Sequence, residues 1–215
     1  MEKTDEVVGF MTAFLHGLCL AIGLILPLGV QNLFIFQQGV LQPRFYCVLP
    51  AVITASICDT ILIFGAVHGV SLFLFKFAML KVAIIGSGVI VLFYMGYLIW
   101  SSSADSSSLT SLQAFSKKKQ IIFAMSVSFL NPNAVIDIIG VIGTSSAQYE
   151  SQEKLLFMLA CILVSWLWFF GLAIVGRFLG ERKDIHRVMA LVNKVSAIFI
   201  WSTAFYLMIC LNEML

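Results

Sequence analysis

Two carboxylic acids lie inside apolar segments of this chain. Asp59 falls within the stretch from Phe45 to His68, and Asp137 within the stretch from Gln120 to Thr144. All 13 lysine and arginine residues, and every other acidic residue, lie instead in connecting segments, at the termini or at the edges of apolar runs. A charge near the centre of a bilayer costs about 2.5–3.5 kcal/mol, so such residues generally face a cavity or a transport pathway. The two acids therefore indicate a site for a cation or a proton.

The composition predicts the membrane setting that makes these acids unusual. Hydrophobic residues make up 60% of the 215 residues and charged residues 11%, against about 25% charged in soluble domains. About 20 apolar residues cross a bilayer. Six runs meet that length, at about 10–36, 46–68, 78–100, 120–146, 155–179 and 188–211. We therefore expect an all-α integral membrane protein with six transmembrane helices, no soluble catalytic domain, no cofactor and no nucleic-acid partner.

A polar segment divides the chain into two halves of three runs. The segment spans residues 101–119 and is rich in serine, with residues 1–100 before it and 120–215 after it. The basic residues are distributed unevenly between the two predicted sides of the membrane. The segments that join runs 1 and 2, 3 and 4, and 5 and 6 contain most of them: Arg44, Lys117, Lys118, Lys119, Arg177, Arg182, Lys183, Arg187 and Lys194. The other side has only Lys3, Lys76, Lys81 and Lys154. The positive-inside rule then predicts cytoplasmic joining segments and outward termini. An inward N-terminus with one crossing fewer remains the alternative.

Three runs per half mean that the halves enter the membrane in opposite directions, as in transporters built from inverted repeats. Pro27 and Pro132 fall inside the first run of each half, and aligning LPLGVQN with NPNAVID places Asn32 opposite Asp137. Proline interrupts a helix, and broken helices persist at membrane depth where protein or a watery cavity satisfies the freed backbone groups. The prolines therefore predict two broken helices beside a polar site.

Polar side chains accompany both predicted breaks. Gln31 and Asn32 follow the first, and Asn131 precedes the second proline. Amides can replace lost backbone partners or hold a polar ligand. In the predicted orientation Asp59 and Asp137 lie about 20 and 25 Å along parallel runs, at 1.5 Å per residue. We therefore expect them to face each other near mid-membrane, where they either take up protons or are held ionised by a cationic ligand.

Four segments in register resemble a known family. LPLGVQNLFIFQQG, SICDTILI, FLNPNAVID and SWLWFFGLA are together similar to the lysine exporter (LysE) family of bacterial amino-acid efflux proteins, over about residues 13–210. The resemblance implies a six-helix secondary carrier of the bacterial cytoplasmic membrane that exports basic amino acids with an ion gradient. Val30 departs from the usual proline of the family, and Cys58 from a frequent serine. By position, the motif residues of the family fall on Gly29, Gln31, Asn32, Asp59, Asn131, Pro132 and Asp137.

The charges of lysine and arginine match these residues. We expect Asp59 and Asp137 to bind the cationic groups and to exchange them for protons. The carboxylate of the substrate would be received at the Pro27 and Pro132 breaks by the amides of Gln31, Asn32 and Asn131. Lysine against arginine, proton against another coupling ion, and monomer against homodimer are left open by the sequence.

Two alternative functions are also compatible with two aspartates in the membrane. Carboxylates and asparagines also suit hard inorganic or divalent cations, although the two acids come without a histidine or methionine cluster. An intramembrane aspartyl protease would likewise use two aspartates as an acid and base pair. Neither acid follows the glycine that those proteases show, and the proline breaks would have no role in one.

Overall fold

A computed structural model describes residues 2–26, 29–69 and 114–181, with scattered residues of two further helical stretches, between 86 and 100 and between 194 and 209. Every regular element within these described ranges is helical. They are α1 (Glu2–Ile25), α2 (Val30–Leu41), a 3₁₀ turn (Phe45–Cys47), α3 (Leu49–Val67), α4 (Lys117–Leu130), α5 (Pro132–Val135), a π-helical segment (Ile136–Ile142), α6 (Gly143–Ser146) and α7 (Ser151–Gly180).

Three of the described helices are long and apolar enough to cross a membrane. The qualifying segments are Val7–Ile25, Leu49–Val67 and Gln152–Gly180. Much of the runs at 78–100 and 188–211, and of the linker at 101–119, lies outside the described residues. The described part of the chain is therefore helical and contains three helices that could cross a membrane, whereas six crossings, the inverted repeat and the division into two halves remain predictions.

Helices α1 and α2 lie end to end along α7 and run in the same direction as α7. A β-carbon on Gly17 of α1 would come within 2.6 Å of the Phe157 carbonyl, and one on Gly39 of α2 within 2.7 Å of the Ala173 carbonyl. Later residues of α1 and α2 thus contact later residues of α7, which shows that the helices are parallel. The first apolar run therefore lies alongside α7 as two helices, which together extend beyond residues 10–36 in both directions.

Helix α3 runs in the same direction as the fourth apolar run. The Gln120 side chain near the start of α4 donates a hydrogen bond of 2.9 Å to the Cys47 carbonyl just before α3. Toward the other end, Ile63 of α3 shares a buried cluster with Ile138 and Ile142 of the π-helical segment. The starts of α3 and of the fourth run are thus in contact, and so are their later parts. Asp59 and Asp137 are therefore brought to neighbouring positions of two parallel elements.

The two faces of α3 show which side is turned to lipid. Ile57, Ile61 and Phe64 are exposed at helical spacing, whereas Asp59 and Ile63 are buried. Apolar side chains on the outer face of a membrane helix meet lipid, so polar groups collect on the inner face. Pro50 lies in the first turn, where a missing N–H costs little. Helix α3 therefore carries Asp59 toward the protein interior.

Candidate functional site

The carboxylate of Asp59 is held by side chains from two other helices. Gln31 of α2 donates from Nε2 to Oδ1 at 3.2 Å, and Ser165 of α7 donates from Oγ to Oδ2 at 3.1 Å. Asp59 is 5% exposed, so both bonds are shielded from solvent. Ser165 is 14 residues into the 30-residue helix α7, about 21 Å from its start at 1.5 Å per residue. Asp59 of α3 therefore lies beside about the middle of α7, the longest described helix.

Asp137 has a different environment. It lies in the π-helical segment that follows α5, and its side chain is partly buried. Among the residues that the structure describes, none donates a hydrogen bond to its carboxylate. Short π-helical stretches inside α-helices are frequent at functional sites, because the widened turn changes the direction of the side chains. Asp137 is thus a partly buried carboxylate whose acceptor positions are not used by any described residue.

Both acids line one cavity of about 480 Å³. This volume is within the range of about 300–1,000 Å³ for small-molecule sites. Polar side chains and apolar side chains both contribute to its wall. The polar members are Gln31, Asn32, Asp59, Asn131, Asp137, Ser165 and Ser202, and the others are Ala21, Leu24, Ile25, Gly29, Ile63, Ala134, Ile138, Ile142, Cys161 and Phe169. Within the described chain, no lysine, arginine or histidine reaches this wall.

The cavity wall includes the gap between α1 and α2. Helix α1 ends at Ile25 and α2 begins at Val30, with Gly29 in the wall between them. The Asn32 side chain donates from Nδ2 to the Ile25 carbonyl at 2.8 Å, so an amide satisfies a backbone acceptor freed where α1 ends. Pro27, the predicted cause of this break, lies outside the described residues.

The cavity wall also includes a second gap between helices. Asn131 separates α4 from α5, is 8% exposed and lines the wall. Pro132 is the first residue of α5, a position where its lack of an N–H is tolerated. The structure thus brings together Gln31, Asn32, Asp59, Asn131 and Asp137, which sequence reasoning selected, and their roles in binding remain predictions.

Two serines of the cavity wall were not predicted from the sequence to belong to the site. Ser165 begins the SWLWFFGLA segment and Ser202 lies in the last apolar run. A single hydroxyl in an apolar helix can bond to a carbonyl of its own helix, as Ser202 does with Ile198 at 2.8 Å. A serine therefore gives no signal comparable to a buried carboxylate, and only its place beside Asp59 identifies Ser165.

Comparisons with known proteins identify the family of this chain. The family model for the LysE type translocator matches residues 22–210. A Bacillus subtilis (strain 168) protein named "Putative amino-acid transporter YisU" is 50% identical over 205 residues, covering 95% of this chain and 93% of that protein. The arginine exporter protein ArgO of Escherichia coli (strain K12) is 31% identical over 197 residues, covering 90% and 92%.

ArgO of Klebsiella pneumoniae (strain 342) is 32% identical over 200 residues, covering 91% of this chain and 93% of that protein. No solved structure gives a significant match. The family match covers most of the chain, including both acids and both gaps. With its apolar helices, this protein is therefore a multi-pass membrane protein that belongs to the LysE type translocator family.

Proposed function

We propose that this protein exports basic amino acids, arginine and lysine, across the cytoplasmic membrane of a bacterium in exchange for protons. The observation that carries the proposal is a pair of carboxylates, Asp59 and Asp137, in the wall of one cavity with no described basic side chain beside them. A cationic substrate supplies the missing positive charge. The names of the ArgO relatives support an amino acid of this kind.

The cavity offers a complementary group for each part of such a substrate. Asp59 and Asp137 attract the α-ammonium and the side-chain cation. The amides of Gln31, Asn32 and Asn131 flank the two gaps and can donate to the carboxylate. The start of α2 adds the partial positive charge of a helix N-terminus beside this group. Ile63, Ile138 and Phe169 give an apolar surface for the methylene chain.

The charge balance supports proton exchange. Moving one positive charge outward against 100 mV costs about 2.3 kcal/mol, so export needs a coupled inward movement even at equal concentrations. A carboxylate released by the substrate on the outer side can take up a proton and carry it inward. Asp59 and Asp137 are the described acids of the cavity that can do both.

Export is tested in cells that lack their own basic amino-acid exporters and are loaded with an arginine-containing dipeptide. The unsubstituted chain should release arginine. Asp59→Asn and Asp137→Asn should each lower the release rate at least about tenfold, because losing one partner of a buried charge pair costs about 2–5 kcal/mol and 1.4 kcal/mol is a factor of ten. Glu153→Gln removes an acid outside the cavity and should leave release unchanged. Wild-type release in both asparagine variants, at equal membrane abundance, would refute the site.

Coupling is tested with purified protein in vesicles loaded with radiolabelled arginine. A proton gradient directed into the vesicles should accelerate arginine efflux, and a protonophore should abolish the acceleration. Acceleration by a sodium gradient, with none by a proton gradient, would overturn proton exchange while leaving export in place. Manganese or calcium, tested in the same vesicles, should not leave through the protein if the cargo is an amino acid.

A further inference from the structure

The two acids of the cavity differ in their hydrogen bonds, and Ser165 contributes to this difference by donating to Asp59. Asp59 receives one hydrogen bond on each oxygen, from Gln31 of α2 and from Ser165 of α7. Asp137 receives none from the described residues. Rotation of the Asp59 carboxylate about its last side-chain bond is therefore opposed at both oxygens, whereas no described residue restrains the Asp137 carboxylate in this way.

The carboxylate of Asp59 has acceptor positions beyond those used by its two described hydrogen bonds. An ionised carboxylate offers about four lone-pair positions, two on each oxygen. The bonds from Gln31 and Ser165 occupy one on each oxygen, which leaves one on each. A guanidinium group carries its donors in a rigid planar fork that matches two carboxylate oxygens at once, whereas an ammonium group acts as a point charge. An oriented carboxylate therefore favours a guanidinium over an ammonium.

We propose that Ser165 is a positioning residue that orients the Asp59 carboxylate for a two-point contact with a guanidinium, so that the protein prefers arginine to lysine. This inference rests on the proposed function. Ser165 acts through Asp59, and its bond comes from a different helix than the bond of Gln31. Preference between two basic amino acids thus depends on a neutral side chain of α7.

Helix α7 does not depend on this bond for its place against α3. Trp166 donates from Nε1 to Thr60 Oγ1 at 3.1 Å, beside the Ser165 contact. Phe169 of α7 is 1% exposed and packs in a buried cluster with Ala55 of α3. Replacing Ser165 by alanine therefore removes a donor from Asp59 and leaves the packing of the two helices in place.

The test measures half-saturating concentrations for arginine and lysine in vesicles containing purified protein, with efflux rates taken at several internal concentrations. Ser165→Ala should raise the half-saturating concentration of arginine about tenfold, because hydrogen bonds to charged groups contribute about 1.5–3 kcal/mol. Lysine should change by less than about threefold, so the preference for arginine should fall. Ser165→Thr keeps the hydroxyl and should retain the preference. Ser165→Cys keeps the volume with a weaker donor and should lose it as alanine does.

Ser56→Ala is the matched control. Ser56 of α3 is also fully buried, lies three residues before Asp59, and has no described hydrogen-bond partner for its hydroxyl. It should leave both half-saturating concentrations unchanged. An unchanged arginine preference in Ser165→Ala and Ser165→Cys would overturn the inference, as would an equal shift for both amino acids. Arginine export by these variants would still support the proposed function, whereas no arginine export by the unsubstituted chain would contradict both.

Discussion

At the residue scale, a charged side chain in an apolar run is a strong sequence signal for a site residue, whereas a side chain that can only form hydrogen bonds is a weak one. Asp59 and Asp137 are identifiable from sequence because an ionisable group in hydrocarbon is costly enough to need a function. Ser165 is not identifiable in this way, because a hydroxyl in a membrane helix is cheap and its partner lies 106 positions away. The sequence therefore predicts which acids matter, and the structure adds which neighbours hold them.

The amide of Asn32 leads to a prediction at this scale. Asn32→Ala removes the donor to the Ile25 carbonyl and leaves a partly buried acceptor without this partner at the end of α1, which costs about 1–3 kcal/mol. Since 1 kcal/mol shifts the Tm of a protein of this size by about 2–4 °C, the purified protein should melt several degrees lower. Thr12→Ala removes an exposed side-chain bond within α1 and should change the Tm by less than about 2 °C. Equal Tm values for wild type and Asn32→Ala would contradict this role.

At the element scale, the breaks were easier to predict than the shape of the helices around them. Proline inside an apolar run has a defined steric effect, and the described helices end and restart around both predicted positions. The π-helical segment IDIIGVI was not predicted, because its composition is that of any buried helix. The sequence also does not reveal that α1 and α2 both pack along α7, because that packing depends on close backbone approach at a few glycines.

That close approach can be tested with two glycines of α7. A β-carbon on Gly176 would lie 2.5 Å from the Phe36 carbonyl of α2, whereas one on Gly171 would meet nothing within 4 Å. Gly176→Ala should therefore push α2 away from α7, lower the Tm through overpacking of about 1–3 kcal/mol, and reduce arginine export because α2 carries Gln31. Gly171→Ala should keep export and hold or raise the Tm, since alanine favours a helix by up to about 1 kcal/mol. Similar behaviour of the two variants would show that the α2–α7 contact is not needed.

At the scale of the whole molecule, the parallel course of α3 and α4 explains how two distant segments form one site. Helical periodicity says nothing about which helices are neighbours, so the expectation that the acids face each other depended on their similar depths alone, and the structure adds that both line one cavity. The positive-inside rule gives the orientation, with Lys117 to Lys119 predicted at the cytoplasmic side and the loop before α7 outside. The structure places these two segments at opposite ends of the fourth run.

The orientation is checked by cysteine labelling in a variant without the native cysteines. Lys118 and Gln148 are exposed and lie before and after the fourth run. Gln148→Cys should react with a membrane-impermeant maleimide added to intact cells, and Lys118→Cys should react only after the membrane is opened. The reverse pattern would contradict the predicted orientation and, with three crossings before residue 101, would place the N-terminus inside.

Binding of arginine and citrulline to purified protein tests the central claim most directly, because citrulline has nearly the shape of arginine and a neutral side chain. If Asp59 recognises the side-chain cation, the unsubstituted protein should bind arginine at least about tenfold more tightly than citrulline, and Asp59→Asn should lose most of that difference. Asp137→Asn should weaken the binding of both ligands, because both carry the α-ammonium. Equal Kd values for the two ligands in the unsubstituted protein, or undiminished discrimination in Asp59→Asn, would contradict the account.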